Sequence, residues 1–155
     1  MQYKNDIYDP SIHDIYNTLC VKQPYANYIA TGEKTIEVRS RNTTFRGDVL
    51  ICSSSRPRIE GLQSGATMCL VEIYDVKRVE DFTEEDWQQT CIVGEDREEI
   101  IEGYGWLLRN PRRVVELPVK GQLGIFKMVF DKGDIIEYPQ NVIIDDDAWL
   151  KIEKL

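Results

Sequence analysis

The chain has one histidine, His13, no Cys-x-x-Cys pair among its four cysteines, and no apolar run approaching the roughly 20 residues that span a bilayer. Each shortage excludes a class of chemistry. Cys20, Cys52, Cys69 and Cys91 are widely scattered and His13 sits in a polar leader, so a zinc site lacks its clustered ligands. No Cys or Ser stands near His13 in an arrangement suited to nucleophilic catalysis. No metal and no cofactor are expected. The cysteines read as buried free thiols, three of them inside apolar, strand-like runs, and His13 reads as an exposed surface residue. A membrane span is excluded, and MQYKNDIYDPSIHD has neither a basic start with an apolar stretch nor an Arg/Ser-rich amphipathic character. The expected location is the cytoplasm.

What is present is the composition of an ordinary soluble domain, with 155 residues, 42% of them hydrophobic and 30% charged. No repeat or low-complexity linker interrupts it, so a single domain is expected over residues 1-155. Residues 15–21 read as a first strand. Pro24 then opens a short helix that Gly32 closes, because proline suits a first turn and glycine the residue past the end. Thr35–Arg39 alternates apolar and polar side chains, sending Ile36 and Val38 to one face and Thr35, Glu37 and Arg39 to the other. Arg46-Gly47-Asp48 turns into a strand VLICSS, Ser54 to Gly65 reads as a loop, and TMCLVEIYDVKRVE as a long strand. Thr83 and Asp86 form an acidic capping box before an exposed helix. Further strands are expected near Gly105–Leu108, Leu123–Phe130 and Ile135–Tyr138. The tail DDDAWLKIEKL reads as a closing helix with Trp149, Ile152 and Leu155 on one face. Many short strands with few helices predict a mixed α+β, mainly β chain forming a small mixed or closed barrel.

The net charge of −8 is unevenly placed. Residues 22–58 hold Lys22, Lys34, Arg39, Arg41, Arg46, Arg56 and Arg58 against Glu33, Glu37 and Asp48, about +4. Residues 103–130 hold Arg109, Arg112, Arg113, Lys120 and Lys127 against Glu116, again about +4. Residues 72–102 carry about −9 and the tail from 131 about −4. Two basic blocks lying together would make one positive surface able to bind phosphates, with the acidic Glu80–Glu102 region elsewhere. The plain alternative is that these charges solvate strand faces.

The stretch KQPYANYIATGEKTIEVR at 22–39 concentrates polar residues that folding does not require, namely Lys22, Gln23, Lys34, Glu37 and Arg39. It carries a resemblance. Gln23-Pro24-Tyr25-Ala26, then Ile29, Gly32, Lys34-Thr35, Glu37, Arg39 and Arg46-Gly47, resemble the N-terminal motif of the ASCH domain family, within the PUA-like superfamily. Tyr104-x-Trp106-x-Leu108, Asn110-Pro111-Arg112-Arg113 and Pro118-Val119-Lys120-Gly121-x-Leu123-Gly124 are similar to its C-terminal segment, where the last strand closes the barrel. Together these pieces cover most of residues 18–130, and the motif-bearing core spans about 15-130, with a C-terminal strand and helix at about 131-155.

The resemblance implies a small PUA-like β-barrel with short flanking helices and a cleft beside the helix at Pro24. Its expected ligand is RNA or a modified nucleotide, bound by Lys22, Gln23, Tyr25, Lys34, Glu37, Arg39, Arg46 and Trp106. Cations suit phosphates, Gln23 and Glu37 suit the polar edge of a base, and Tyr25 and Trp106 suit stacking. Each has a structural alternative: an ion pair for Glu37 and Arg39, a helix cap for Gln23, a brace for Arg46, core packing for Tyr25 and Trp106. For Lys34 it is a solvated turn lysine, whose loss leaves folding nearly intact.

Members of the family also include amidohydrolases that deacylate N4-acetylcytidine with a lysine, a threonine and a glutamate, and one with ribonuclease activity. An enzyme acting on N4-acylated cytidine-type nucleosides, or an RNA-processing enzyme, would use Lys34 and Glu37. The lysine of that set falls on Lys34, the threonine position holds Glu37, and no glutamate is placed by motif. A protein-interaction domain using the acidic face is the third reading, so a protein partner stands beside RNA or nucleoside ligands, and no membrane partner is expected.

Overall fold

The computed structural model describes residues 8–139, together with the short strands at 2–3, 142–143 and 151–152. In chain order the elements are β1 (Gln2–Tyr3), β2 (His13–Val21), α1 (Tyr25–Thr31), β3 (Ile36–Arg39), β4 (Gly47–Ser53) and β5 (Thr67–Arg78). A single 3-10 turn, α2 (Glu84–Thr90) and α3 (Gly94–Glu98) follow, then β6 (Tyr104–Arg113), β7 (Ile125–Asp131), β8 (Val142–Ile143) and β9 (Lys151–Ile152).

One mixed sheet runs in the order β1-β7-β2-β4-β5-β6-β3 and curls into a half-barrel, the small PUA-like architecture. The β2–β4 pair is parallel and the other pairs in this sheet are antiparallel. Strands β1 and β3 stand at its two edges, so the ladder is not closed among the described residues. β8 and β9 pair separately.

The centre of the sheet is buried on both sides, which is why VLIC in β4 is a continuous apolar run instead of an alternation. Val49 and Ile51 join the larger core cluster with Leu19, Val71, Ile73, Trp106 and Leu108, while Leu50 and Cys52 join the smaller one with Leu70, Val114, Met128 and Phe130. Helix α1 covers the larger cluster through Ala26, Ile29 and Ala30. It starts after Pro24 and ends at Gly32, whose φ of 87° caps the helix and returns its N–H to the Ile29 carbonyl. The capping box is formed: the Asp86 N–H donates to Thr83 Oγ1 at 3.1 Å and the Thr83 N–H to Asp86 Oδ2 at 2.9 Å.

Several expectations are corrected. His13 is buried, because β2 begins there, two residues earlier than expected, and its Nδ1 accepts the Asp9 N–H at 2.9 Å. Cys20 and Cys91 are only half-buried, unlike Cys52 and Cys69; all four are free thiols. β6 runs through Asn110-Pro111 to Arg113 because register shifts along β5 absorb the irregular backbone, including Asn110 at a φ of 58°. The strand expected at Ile135–Tyr138 shrinks to one bridge between Val114 and Glu137. In the tail, Lys151–Ile152 form a strand where a helix was expected, and the rest of that helix lies outside the described residues. Helix α3 carried no signal above its acidic surroundings.

Candidate functional site

A cleft of about 380 Å³ opens between the end of β2, the start of α1 and the edge strand β3. Lys22, Tyr25, Lys34, Glu37 and Arg39 line it, with Cys20, Ser54 and the loop at Gln122, Leu123 and Gly124. Five of the eight sequence-predicted residues therefore converge.

The floor is a chain of charges. Lys34 Nζ lies 3.5 Å from Glu37 Oε1, and Arg39 Nε donates to Glu37 Oε2 at 2.9 Å. Arg39 Nη2 continues to the Cys20 carbonyl oxygen at 3.0 Å. Lys34 Nζ also donates to the Thr90 carbonyl oxygen at 2.5 Å and stands 5.0 Å from the centre of the Tyr25 ring. Lys34 is 2% exposed and Glu37 7%, so the lysine is an interior cation and not a solvated turn residue. Its burial follows from tertiary packing: the Thr35 N–H donates to the Gln89 carbonyl at 3.0 Å, which draws the end of α2 over the segment before β3. Burial pushes the Lys34 ammonium below its ordinary value, and the Glu37 carboxylate pulls it partly back up. Burial raises the Tyr25 phenol above its ordinary value, and Asp96 adds to that.

Glu37 and Arg39 lie on the face of β3 that Trp106 shares, and the opposite face is covered as well, with Ile36 buried. Glu37 is the register partner of Trp106 across β3–β6, and the Arg39 guanidinium lies 5.8 Å from the Trp106 ring centre. Polar residues reach the interior here because β3 is a sheet edge.

Three predicted residues stand apart. Gln23 is buried, accepting the Asn27 N–H on its Oε1 at 3.0 Å and donating to the Gln63 carbonyl at 2.9 Å, so it braces α1 against the loop. Arg46 donates to the carbonyls of Thr43 and Phe45 and does not line the cleft. Trp106 is buried in the core with its Nε1 donating to the Arg41 carbonyl at 3.0 Å, and it borders a neighbouring cleft of about 560 Å³ with Arg39, Arg41 and Leu123.

Sequence reasoning missed Cys20, Ser54, Thr90, Ile92 and Gln122. The pair of glycines around Gln122-Leu123 was a loop signal, but the segment was read as a barrel strand. Ile92, from the middle of the Glu80–Glu102 region, lines the cleft, and the Thr90 carbonyl accepts from Lys34 beneath it; none of the acids of that region lines the cleft.

The two basic blocks also divide differently. Arg112 makes two bonds to the Asp48 carboxylate of β4 at 2.7 and 3.0 Å, reaching across β5, and Arg109 donates to Glu72 of β5 at 2.9 Å, so these two cations are held by acids on other strands. Among the described residues no group of three or more His, Cys, Asp or Glu is placed to hold a metal, and no helix is long and apolar enough to cross a membrane.

A half-barrel with a helix-flanked charged cleft defines a PUA-like domain. The ASCH domain model matches residues 19–119, and the chain belongs to the ASCH domain family. Among solved structures the chain is similar to ASCH from Zymomonas mobilis, with 15% identity, a TM-score of 0.52, and coverage of 65% of this chain and 71% of that one. It is similar in the same way to a serine-to-alanine variant of that protein, with 16% identity, a TM-score of 0.53, and coverage of 66% and 72%. No curated protein matches the chain.

Proposed function

We propose that the chain binds a nucleotide unit, free or within RNA, in the cleft beside α1. The observation that carries this reading is the convergence of Lys22, Tyr25, Lys34, Glu37 and Arg39 on one small cleft. Lys22 is exposed at its mouth, where an ammonium meets a phosphate with little desolvation. The half-buried Tyr25 ring offers a face to a base, and the Glu37–Arg39 pair offers an acceptor and donors to its polar edge. The test is equilibrium binding of nucleoside monophosphates, N4-acylated cytidine and short single-stranded RNA across a salt series. Affinity for RNA should fall with a slope of about 0.7 per neutralised phosphate on logarithmic axes. Tyr25→Ala should lose about 1–3 kcal/mol of binding, the usual worth of one stacked base. Failure of every nucleotide and RNA to bind overturns the reading.

A second reading, hydrolysis of an N4-acylated nucleoside, is favoured by one observation: Lys34 is buried, shifted toward its neutral form, and within 3.5 Å of a carboxylate. A lysine whose ammonium is disfavoured by burial gives up its proton more readily to act as base or nucleophile, and the Glu37 carboxylate beside it would orient it. Release of the acyl group from a panel of acylated nucleosides, followed by mass spectrometry, supports this reading. Binding without turnover leaves a binding module.

A further inference from the structure

We propose that Cys20 and Cys52 form a peroxide-reactive thiol pair in the cleft wall, which a hydroperoxide converts to a disulfide joining β2 and β4. This inference is independent of the nucleotide reading. The two residues are Cα partners in the parallel β2–β4 register. Neighbouring strands lie about 4.8 Å apart, within the roughly 4.4–6.8 Å Cα separation that a disulfide spans. Both side chains pack in the same apolar cluster, so they leave the sheet on the same face.

The pair is asymmetric in the way stepwise oxidation needs. Cys20 is half-buried and lines both the charged cleft and an adjoining one of about 850 Å³, so a small oxidant reaches its sulfur. Cys52 is fully buried behind it. Gly121 passes directly over the Cys20 sulfur: a Cβ at 121 would lie 2.9 Å from Sγ, a space only glycine leaves open. The Cys52 thiol, the Gln122 N–H and the Arg39 guanidinium favour the Cys20 thiolate and hold it at about 7, despite partial burial. Burial pushes Cys69 up to about 12 and also raises Cys91. Cys52 is raised by its hydrogen bond to Cys20 and by burial.

The thiolate of Cys20 attacks a peroxide oxygen; the S–O bond forms, the O–O bond breaks, and the leaving oxygen takes a solvent proton to depart as water or alcohol. The sulfenic acid ends the bond that held the Cys52 proton. Cys52 sulfur then attacks Cys20 sulfur, the S–S bond forms, and hydroxide leaves with the Cys52 proton as water. Two electrons pass from the thiols to the peroxide.

The wild-type protein is treated with stoichiometric hydrogen peroxide, alkylated with iodoacetamide in denaturant, and mapped by mass spectrometry. The expected result is a cross-linked peptide pair carrying Cys20 and Cys52, lighter by two hydrogens than the reduced pair, with Cys69 and Cys91 alkylated. In Cys52→Ala, dimedone should trap a sulfenic acid on Cys20. The proposal is overturned if Cys91 is oxidised ahead of Cys20, or if wild-type Cys20 reaches sulfinic acid with no link to Cys52. Should Cys52→Ala not fold, the wild-type map alone decides.

Discussion

Glu37→Gln is the most informative substitution, because it changes one oxygen at the centre of the charge chain. The amide keeps the shape and removes the charge facing Lys34 Nζ at 3.5 Å and Arg39 Nε at 2.9 Å. Arg39 is partly exposed and turns to water, whereas Lys34 retains only the Thr90 carbonyl and the Tyr25 ring. Removing one partner of a buried ion pair costs about 3–5 kcal/mol. For a chain of this length that lowers Tm by roughly 6–20 °C. Lys34→Met should cost less, about 1–3 kcal/mol for the unpaired Thr90 carbonyl, since Glu37 keeps Arg39 and the methionine fills the space. The double variant should be more stable than Glu37→Gln alone, because no buried cation remains to be compensated.

The sign of the pH dependence follows from Lys34. Its folded pKa lies below the ordinary 10.5, so between the two values the unfolded chain binds the extra proton and stability rises with pH. Below that window both states are protonated and the burial penalty is present in full. Glu37→Gln removes a group that raises Lys34, so the window widens downward and the deficit of the variant shrinks as pH approaches 10.5. Urea denaturation of the wild type, both single variants and the double variant, at neutral and alkaline pH, measures all of this. A Glu37→Gln protein as stable as wild type at neutral pH, or a double variant less stable than it, refutes the reasoning.

Trp106→Ala should cost about 3–5 kcal/mol by opening a core cavity, measured as a fall in Tm, with any loss of ligand binding accompanied by that instability. A folded Trp106→Ala of unchanged Tm that no longer binds would move the ring from core packing to recognition. Thr83→Ala should cost about 1 kcal/mol, read by thermal melting, because the capping box loses the hydroxyl that accepts the Asp86 N–H.

Much of this fold was legible in short-range chemistry. Pro24 and Gly32 mark the ends of α1, Thr83 and Asp86 the start of α2, and the alternation from Thr35 to Arg39 the strand β3, because each depends on residues within a few positions of one another. The stretch from 22 to 39 likewise holds the five residues that share the cleft, four of them in the family motif and Lys22 just before it. Which face they occupy was not legible: alternation separates Glu37 from Val38 but does not say what either side meets, and pairing with Trp106 on β6 decides that for Glu37. The burial of Lys34 depends on Thr90, 56 positions away, and Arg109 and Arg112 of the second basic block are paired with Glu72 and Asp48 from other strands. Cys20 and Cys52 become neighbours only through a parallel crossover. Local propensities and caps act over one or two turns and are written in consecutive residues. Burial, charge pairing and register depend on which distant segments meet, and the curling of the sheet into a half-barrel brings those together.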